Sequence, residues 1–325
     1  MNLQAKMLNP AVPVVLYEVI PPRTGPDGEL ESRLTLIREV AGNADAINIP
    51  EIREEARLGE RRPRLRERVE PREFAQAIGA ATKVETIVNR VTVHESPAEQ
   101  QEWLREGCQK YGIRNLILVG GESNDAYYPG PSVTEMAAMA FGNRLPLLLG
   151  GITIAHREGE AERVRQKQAH GLRFFTTQVL LDSKDIVALI QELDGLQARI
   201  LLSFTPVSNE RDLEFLKGLG VEIPTSFREV IRSAGSPEEA VERSNLLARQ
   251  ILQEVFHSLP PQPPAIGIQV ERITKRNSAA ALRMLTDLGD FYRRLLRVRF
   301  APAPETMEAT TARSSPNSPR GRKIT

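Results

Sequence analysis

A glutamate set inside an apolar run needs a reason. In Val14-Val15-Leu16-Tyr17-Glu18-Val19-Ile20-Pro21-Pro22, Glu18 stands near the end of a strand-like run that two prolines stop. Its apolar neighbours predict partial desolvation, which raises a carboxyl pKa and suits a general acid near neutral pH. A Glu paired with a lysine or arginine is the structural alternative. A second carboxylate closes Leu116-Ile117-Leu118-Val119-Gly120-Gly121-Glu122, an apolar run followed by two glycines. That pattern reads as a buried parallel strand and then a loop. There the backbone of Gly120 and Gly121 is expected to approach a ligand closely, or the two glycines simply make a tight turn.

Other polar residues end apolar runs in the same way: Asn48, Asn89 with Arg90, Gln178, Thr205, and Gln269 with Glu271. Each alone is consistent with a satisfied buried polar group. As a set they point to a polar ligand site. No His-x-x-x-His or paired-cysteine pattern and no Ser nucleophile elbow occurs, and the four histidines are scattered.

The elements that must carry these residues alternate. Strands are expected at 14–20, 46–49, 84–89, 115–119, 146–151, 173–177, 199–204 and 265–270, with helices between them. Ser96-Pro97-Ala98-Glu99 and Ser132 to Glu135 are capping boxes. Asp182 is expected to cap a helix through Leu193, Asn209 to start one, Ser226 and Glu229 to open a short one, and Ser236-Pro237-Glu238-Glu239 a long one. Eight strands alternating with helices predict a single α/β domain over residues 1–300, a (β/α)8 TIM barrel with its site at the strand C-termini. A doubly wound sheet is the other option, but no G-x-G-x-x-G follows the first strand. Residues 301–325 are rich in Pro, Ser, Thr and Arg and predict a disordered tail. The arginine- and glutamate-rich stretch from Glu51 to Arg72 reads as a solvated face, or as a loop for an anionic ligand tail.

Composition excludes several classes. The 325 residues carry a net charge of +1, so no general attraction to nucleic acid or membrane is expected. One cysteine, Cys108, rules out an intramolecular disulfide. No apolar run is long enough to span a membrane and the first residues lack a signal-peptide core, so a cytoplasmic protein is expected.

The motifs, taken in order, resemble the methylenetetrahydrofolate reductase family over residues 14–298. Glu18-Val19-Ile20-Pro21-Pro22 is similar to that family's Phe-Glu-Phe-Phe-Pro-Pro, in which the glutamate is the proton donor. Gly120-Gly121-Glu122 stands where the family has Arg-Gly-Asp, Thr177-Gln178 where it has Ile-Thr-Gln, and Thr205 to Asn209 where it has Leu-Pro-Val-Ser-Asn. Gly151 to His156 replaces Ala-Tyr-Pro-Glu-x-His, keeping the histidine and putting Ile152 for the tyrosine. Ile47-Asn48-Ile49-Pro50 replaces Val-Thr-Tyr-Gly, Arg90-Val91-Thr92 replaces His-Leu-Thr, and Leu216 falls where a phenylalanine stacks on the substrate.

The resemblance implies reduction of 5,10-methylenetetrahydrofolate to 5-methyltetrahydrofolate. Glu18 and Glu122 would be catalytic. Glu122 and Gln178 would hold the folate, with the strand-end Gln269 beside them. FAD would lie against Asn48, Thr92, Gly120, Gly121, Tyr128, His156 and Lys167, and NAD(P)H would supply the electrons. The missing arginine and tyrosine leave open a flavin-free reductase. A non-catalytic folate-binding accessory subunit and a homo-oligomer also stay open.

Overall fold

The computed structural model describes residues 1–25, 29–53, 67–121, 127–271 and 277–300. The chain runs α1 (Leu3–Leu8), β1 (Val15–Glu18), α2 (Glu29–Val40), β2 (Ala46–Ile49), α3 (Pro71–Thr82), β3 (Glu85–Val91), α4 (Pro97–Gln109), β4 (Asn115–Val119), α5 (Val133–Gly142) and β5 (Leu148–Thr153). It continues through α6 (Glu160–Ala169), β6 (Phe174–Val179), α7 (Lys184–Glu192), β7 (Arg199–Phe204), α8 (Glu210–Gly218), α9 (Thr225–Arg232), α10 (Pro237–His257), β8 (Ala265–Val270) and α11 (Ser278–Arg299). The eight strands close in sequence order into a parallel barrel, β8 pairing back onto β1. This is the (β/α)8 architecture expected from the alternation. Among the described residues no helix is long and apolar enough to cross a membrane.

Both strand faces are buried, which is why the strands read as near-continuous apolar runs. Val15, Tyr17, Ile47, Val88, Leu116, Leu118, Phe175 and Ile200 pack outward against the helices. Val14, Leu16, Ala46, Ile87, Ile117, Leu148, Phe174 and Leu201 fill the barrel, together with Leu3 and Met7 of α1. Gly150 belongs to this interior: a Cβ there would overlap the Phe174 ring. Gly150→Ala is expected to lower stability by about 1–3 kcal/mol through overpacking, read as a lower urea midpoint. An unchanged midpoint would mean that Phe174 can move aside.

Short helix α1 was not expected from the sequence. Asn2 Oδ1 caps it by accepting the Ala5 N–H, and Leu3 and Met7, one turn apart, close the floor of the barrel. Both capping boxes form as expected, at Ser96 with Glu99 and at Ser132 with Glu135. Two start signals are displaced. The cap position of α7 is Ser183, Asp182 instead taking the Lys184 N–H through Oδ1. Helix α9 begins behind Pro224, which leaves Ser226 inside its first turn.

The Glu51 to Arg72 stretch is not a solvated face where it is described; residues 54–66 lie outside the described residues. Glu51 accepts from Arg53, from Arg90 and from the Val91 N–H. Arg72 and Arg90 stack on Trp103 at 4.5 and 4.6 Å from the ring centroid. Arg90 therefore works on the outer side of the barrel, gripping Gln100, Glu51 and Glu95 between β3 and α4.

Candidate functional site at the barrel mouth

Glu18 ends β1, and Asn48 is its partner on β2. The β1–β8 register pairs Leu16 with Gln269 and Tyr17 with Val270. Glu18 and Glu271 are thus the next residues on two adjacent strands. Strand alternation turns both toward the mouth, in phase with Leu16 and Gln269. Adjacent parallel strands lie about 4.8 Å apart, so two carboxylates share one edge of the barrel.

Carboxamides bridge them. Asn48 Nδ2 donates to Glu18 Oε2 at 3.3 Å and to Gln269 Oε1 at 3.1 Å. Gln269 Nε2 donates to Glu271 Oε1 at 3.0 Å. Thr205 Oγ1 holds the Glu271 backbone carbonyl at 2.9 Å. Both carboxylates keep some exposure toward the outside, yet the barrel wall dominates their surroundings. Burial pushes the Glu18 carboxyl well above its ordinary value of 4.5; the Glu271 charge raises it further, and the Asn48 hydrogen bond offsets part of the rise. Burial also raises Glu271, against the hydrogen bond from Gln269 and the nearby Ser203 hydroxyl. The alternative, an ion pair of Glu18 with a lysine or arginine, does not form among the described residues: the charge acting on Glu18 is another carboxylate.

The other expected site residues lie on the β3–β6 side. Gln178 is half-buried near the end of β6, where the register against β7 shifts between Thr176 and Val179. Asn89 is buried near the end of β3, and its Oδ1 has no partner among the described residues; the same holds for Asn48 Oδ1. Thr92 is fully buried, its N–H on the Val119 carbonyl and its Oγ1 without a described partner. Gly121 is packed by the Tyr128 ring, which a Cβ would overlap, while a Cβ on Gly120 would make only ordinary contact with Val133. Tyr128 also meets His94 edge to face at 5.7 Å. The Gly121 backbone is therefore open to its own tyrosine, a role that the pair of glycines alone did not indicate.

Lys167 donates to the Ile152 carbonyl at 2.8 Å, which ties α6 to β5. Burial lowers its pKa, Glu160 offsetting part of this and Arg157 and Arg163 adding to it. His156 lies in the loop between β5 and α6, its Nε2 at 3.9 Å from the exposed Glu222. Asn48, expected to contact a cofactor, is part of the carboxylate network. Glu122 lies outside the described residues.

Two sequence motifs have local explanations. In Thr205 to Asn209, Asn209 Oδ1 caps α8 by accepting the Arg211 and Asp212 N–H groups, and Ser208 binds Asp212 Oδ2. Leu216, the counterpart of the family's stacking phenylalanine, is fully buried in a separate cluster with Leu213, Phe227 and Ile231. The largest omission of the sequence reading is the partnership of Glu271 with Glu18. Its only signal was a second glutamate beyond an apolar strand.

Cavities of 240 and 890 Å³ lie at the opposite end of the barrel. Pro10, Ala265 and Phe300 are among the walls of the first; Ala11, Arg293 and Arg297 are among those of the second. No mouth residue lines either. Among the described residues no group of three or more His, Cys, Asp or Glu side chains is placed to hold a metal ion.

Fold and mouth together define a closed (β/α)8 barrel with a carboxylate–carboxamide edge at its strand C-termini. No protein-family model matches the chain, and no curated protein matches it. Among solved structures, an uncharacterized protein from Clostridium thermocellum, described as binding two copies of 5-methyl-5,6,7,8-tetrahydrofolic acid, superposes with a TM-score of 0.72. It is 19% identical, over 89% of this chain and 99% of that one. Oxaloacetate acetylhydrolase aligns at a TM-score of 0.45 and 14% identity, over 92% of this chain and 87% of that one, too distant to support an argument. The likeness to the Clostridium thermocellum protein shows the fold alone, the same barrel.

Proposed function

We propose that the mouth binds a reduced folate and that the chain reduces 5,10-methylenetetrahydrofolate to 5-methyltetrahydrofolate. The observation that carries this reading is Glu18, a carboxyl biased toward its protonated form by burial and by Glu271 and aimed into the mouth by Asn48. A carboxyl biased in this way is a proton donor. The superposing protein that binds 5-methyltetrahydrofolate supports a folate as the ligand.

In this reading Glu18 gives its proton to the bridging nitrogen of the substrate. The carbon–nitrogen bond then breaks with its electron pair going to that nitrogen, and the methylene carbon is left as an iminium. The methylene carbon would then accept a hydride, which a reduced nicotinamide would supply when bound, directly or through FAD. Gln178 holds the pterin from the β6 side of the mouth, and the resemblance gives Glu122 the same task. The wall from β3 to β5, with the unpartnered Asn89 Oδ1 and the Tyr128–Gly121 contact, is where the hydride-supplying group would lie.

The test is titration of the purified chain with 5-methyltetrahydrofolate by calorimetry, together with its absorbance spectrum. Saturable binding is expected. Gln178→Ala should weaken it by about 1–3 kcal/mol for one lost buried hydrogen bond. Absence of binding by the native chain would overturn the reading. Flavin absorbance separates the two routes of hydride delivery. A folate carrier without turnover is the second reading, favoured by a superposing protein described only as binding its folate. Turnover by the isolated chain with reduced nicotinamide decides between the two.

A further inference from the structure

Glu271 has no part in the function proposed above except as a neighbour, yet its placement is specific. It sits one residue beyond the last β1–β8 pair, beside Glu18, on the same face of the closed sheet. Its backbone is fixed at both ends, by Thr205 Oγ1 on its carbonyl and by its own N–H on the Phe204 carbonyl at 2.8 Å. One carboxamide relay reaches both carboxylates. Asn48 serves Glu18 and Gln269, and Gln269 serves Glu271. The relay gives each carboxylate one N–H and brings no positive charge.

The surroundings supply no counter-ion among the described residues. From β2, Glu18 meets the Asn48 carboxamide; from β8, Gln269 and Glu271. From β7, Glu271 meets the hydroxyls of Ser203 and Thr205. Among the described residues no lysine or arginine acts on either carboxylate, and the arginines of the neighbouring segments have other partners. Arg68 gives its guanidinium to the Pro21 carbonyl, and Arg53 and Arg90 pair with Glu51 and Glu95. Two adjacent carboxylates in such a setting do not both ionise readily.

We propose that Glu18 and Glu271 hold one proton between them, Glu271 being the positioning residue that keeps this proton on Glu18. The pair then carries a single negative charge at rest. When Glu18 gives its proton to the folate nitrogen the charge rises to two, and a proton from solvent returns to the pair once the product has left. The catalytic step rests on the folate reading; the shared proton does not, and it is measurable in the ligand-free protein.

The experiment is infrared titration of the full chain with ¹³C-labelled glutamate, following the stretch of the protonated carboxyl, for the native protein, Glu271→Gln and Glu18→Gln. The native protein should lose two buried carboxyl protons in two separated steps. Glu271→Gln should show one step, at a pH lower than the upper native step by about one unit or more. Reciprocally, Glu18→Gln should leave a single step, that of Glu271, below the same upper native step. A Glu18 step that stays in place in Glu271→Gln overturns the proposal, as does a native protein with no buried carboxyl protonated above the ordinary glutamate range. If Glu271→Gln fails to fold, by circular dichroism, the native protein and Glu18→Gln decide the matter alone. Calorimetry with 5-methyltetrahydrofolate on the same samples reads the folate proposal separately. Loss of folate binding with the two-step titration intact refutes the ligand and leaves the pair standing.

Discussion

Glu18→Gln is expected to lower turnover of 5,10-methylenetetrahydrofolate by at least about a hundredfold while keeping the fold and the affinity for reduced folate. The amide keeps the shape of the carboxyl and still accepts from Asn48, but it has no proton to give. A general acid contributes about 10²–10⁴-fold to a rate, so the predicted loss lies at the lower end of that range. Stability should move the other way. The Glu18 carboxyl is raised in the folded state, so the native protein binds this proton more tightly than the unfolded chain does. Its contribution to stability is fully present below the unfolded value and disappears as pH rises through the raised folded value. The substitution removes that dependence. Denaturation at several pH values should find Glu18→Gln gaining on the native protein as pH climbs from about 4.5. Near-normal folate turnover would leave Glu18 a structural residue, and a stability difference that does not change with pH would mean that the carboxyl is not desolvated.

Arg199→Leu is expected to cost at least about 3 kcal/mol, the largest stability effect of any single change proposed for the chain. Arg199 is fully buried at the start of β7, at the end of the barrel away from the mouth. Its guanidinium donates to the carbonyls of Met7 at 3.2 Å, Lys6 at 3.0 Å, Asn9 at 2.6 Å and Val12 at 3.1 Å, and also to that of Ile266. Burial lowers its pKa, and the Tyr292 hydroxyl and Asp45 offset part of this. Leucine would fill much of the space and leave these carbonyls without a donor. The planar fork reaches several acceptors at once, which a lysine ammonium cannot do, so Arg199→Lys should recover only part of the loss. Urea denaturation measures both variants. A cost below about 1 kcal/mol for Arg199→Leu would show that water replaces the guanidinium without penalty.

The sequence carried the barrel well, for a physical reason. Strands buried on both faces leave unbroken apolar runs, and Ala46–Ile49, Asn115–Val119, Arg199–Phe204 and Ala265–Val270 could be read to the residue. Glu18 and Gln178 were legible because a polar residue ending such a run stands out. The relation of Glu18 to Glu271 was not legible. It depends on the register with which β8 closes against β1, and no local signal reports a pairing across some 250 residues. Helix α1 was missed because six residues do not make a stable helix by themselves. Burial of Leu3 and Met7 and the grip of Arg199 hold it. The hydrogen bond of Lys167 to the Ile152 carbonyl was not legible, because it needs the packing of α6 on β5 to be seen.

The floor has a consequence for the order of events during synthesis. Leu3 gives its N–H to Glu85 of β3, and the carbonyls that follow α1 are held from β7, nearly 200 residues further along the chain. The docking surface for α1 does not exist until β7 and β8 have emerged and the sheet has closed. Residues 3–12, made long before β7, are therefore seated only after it. During elongation at about 5–20 residues per second, the segment ahead of β1 waits some tens of seconds, with Leu3 and Met7 open to any chaperone that binds short apolar stretches.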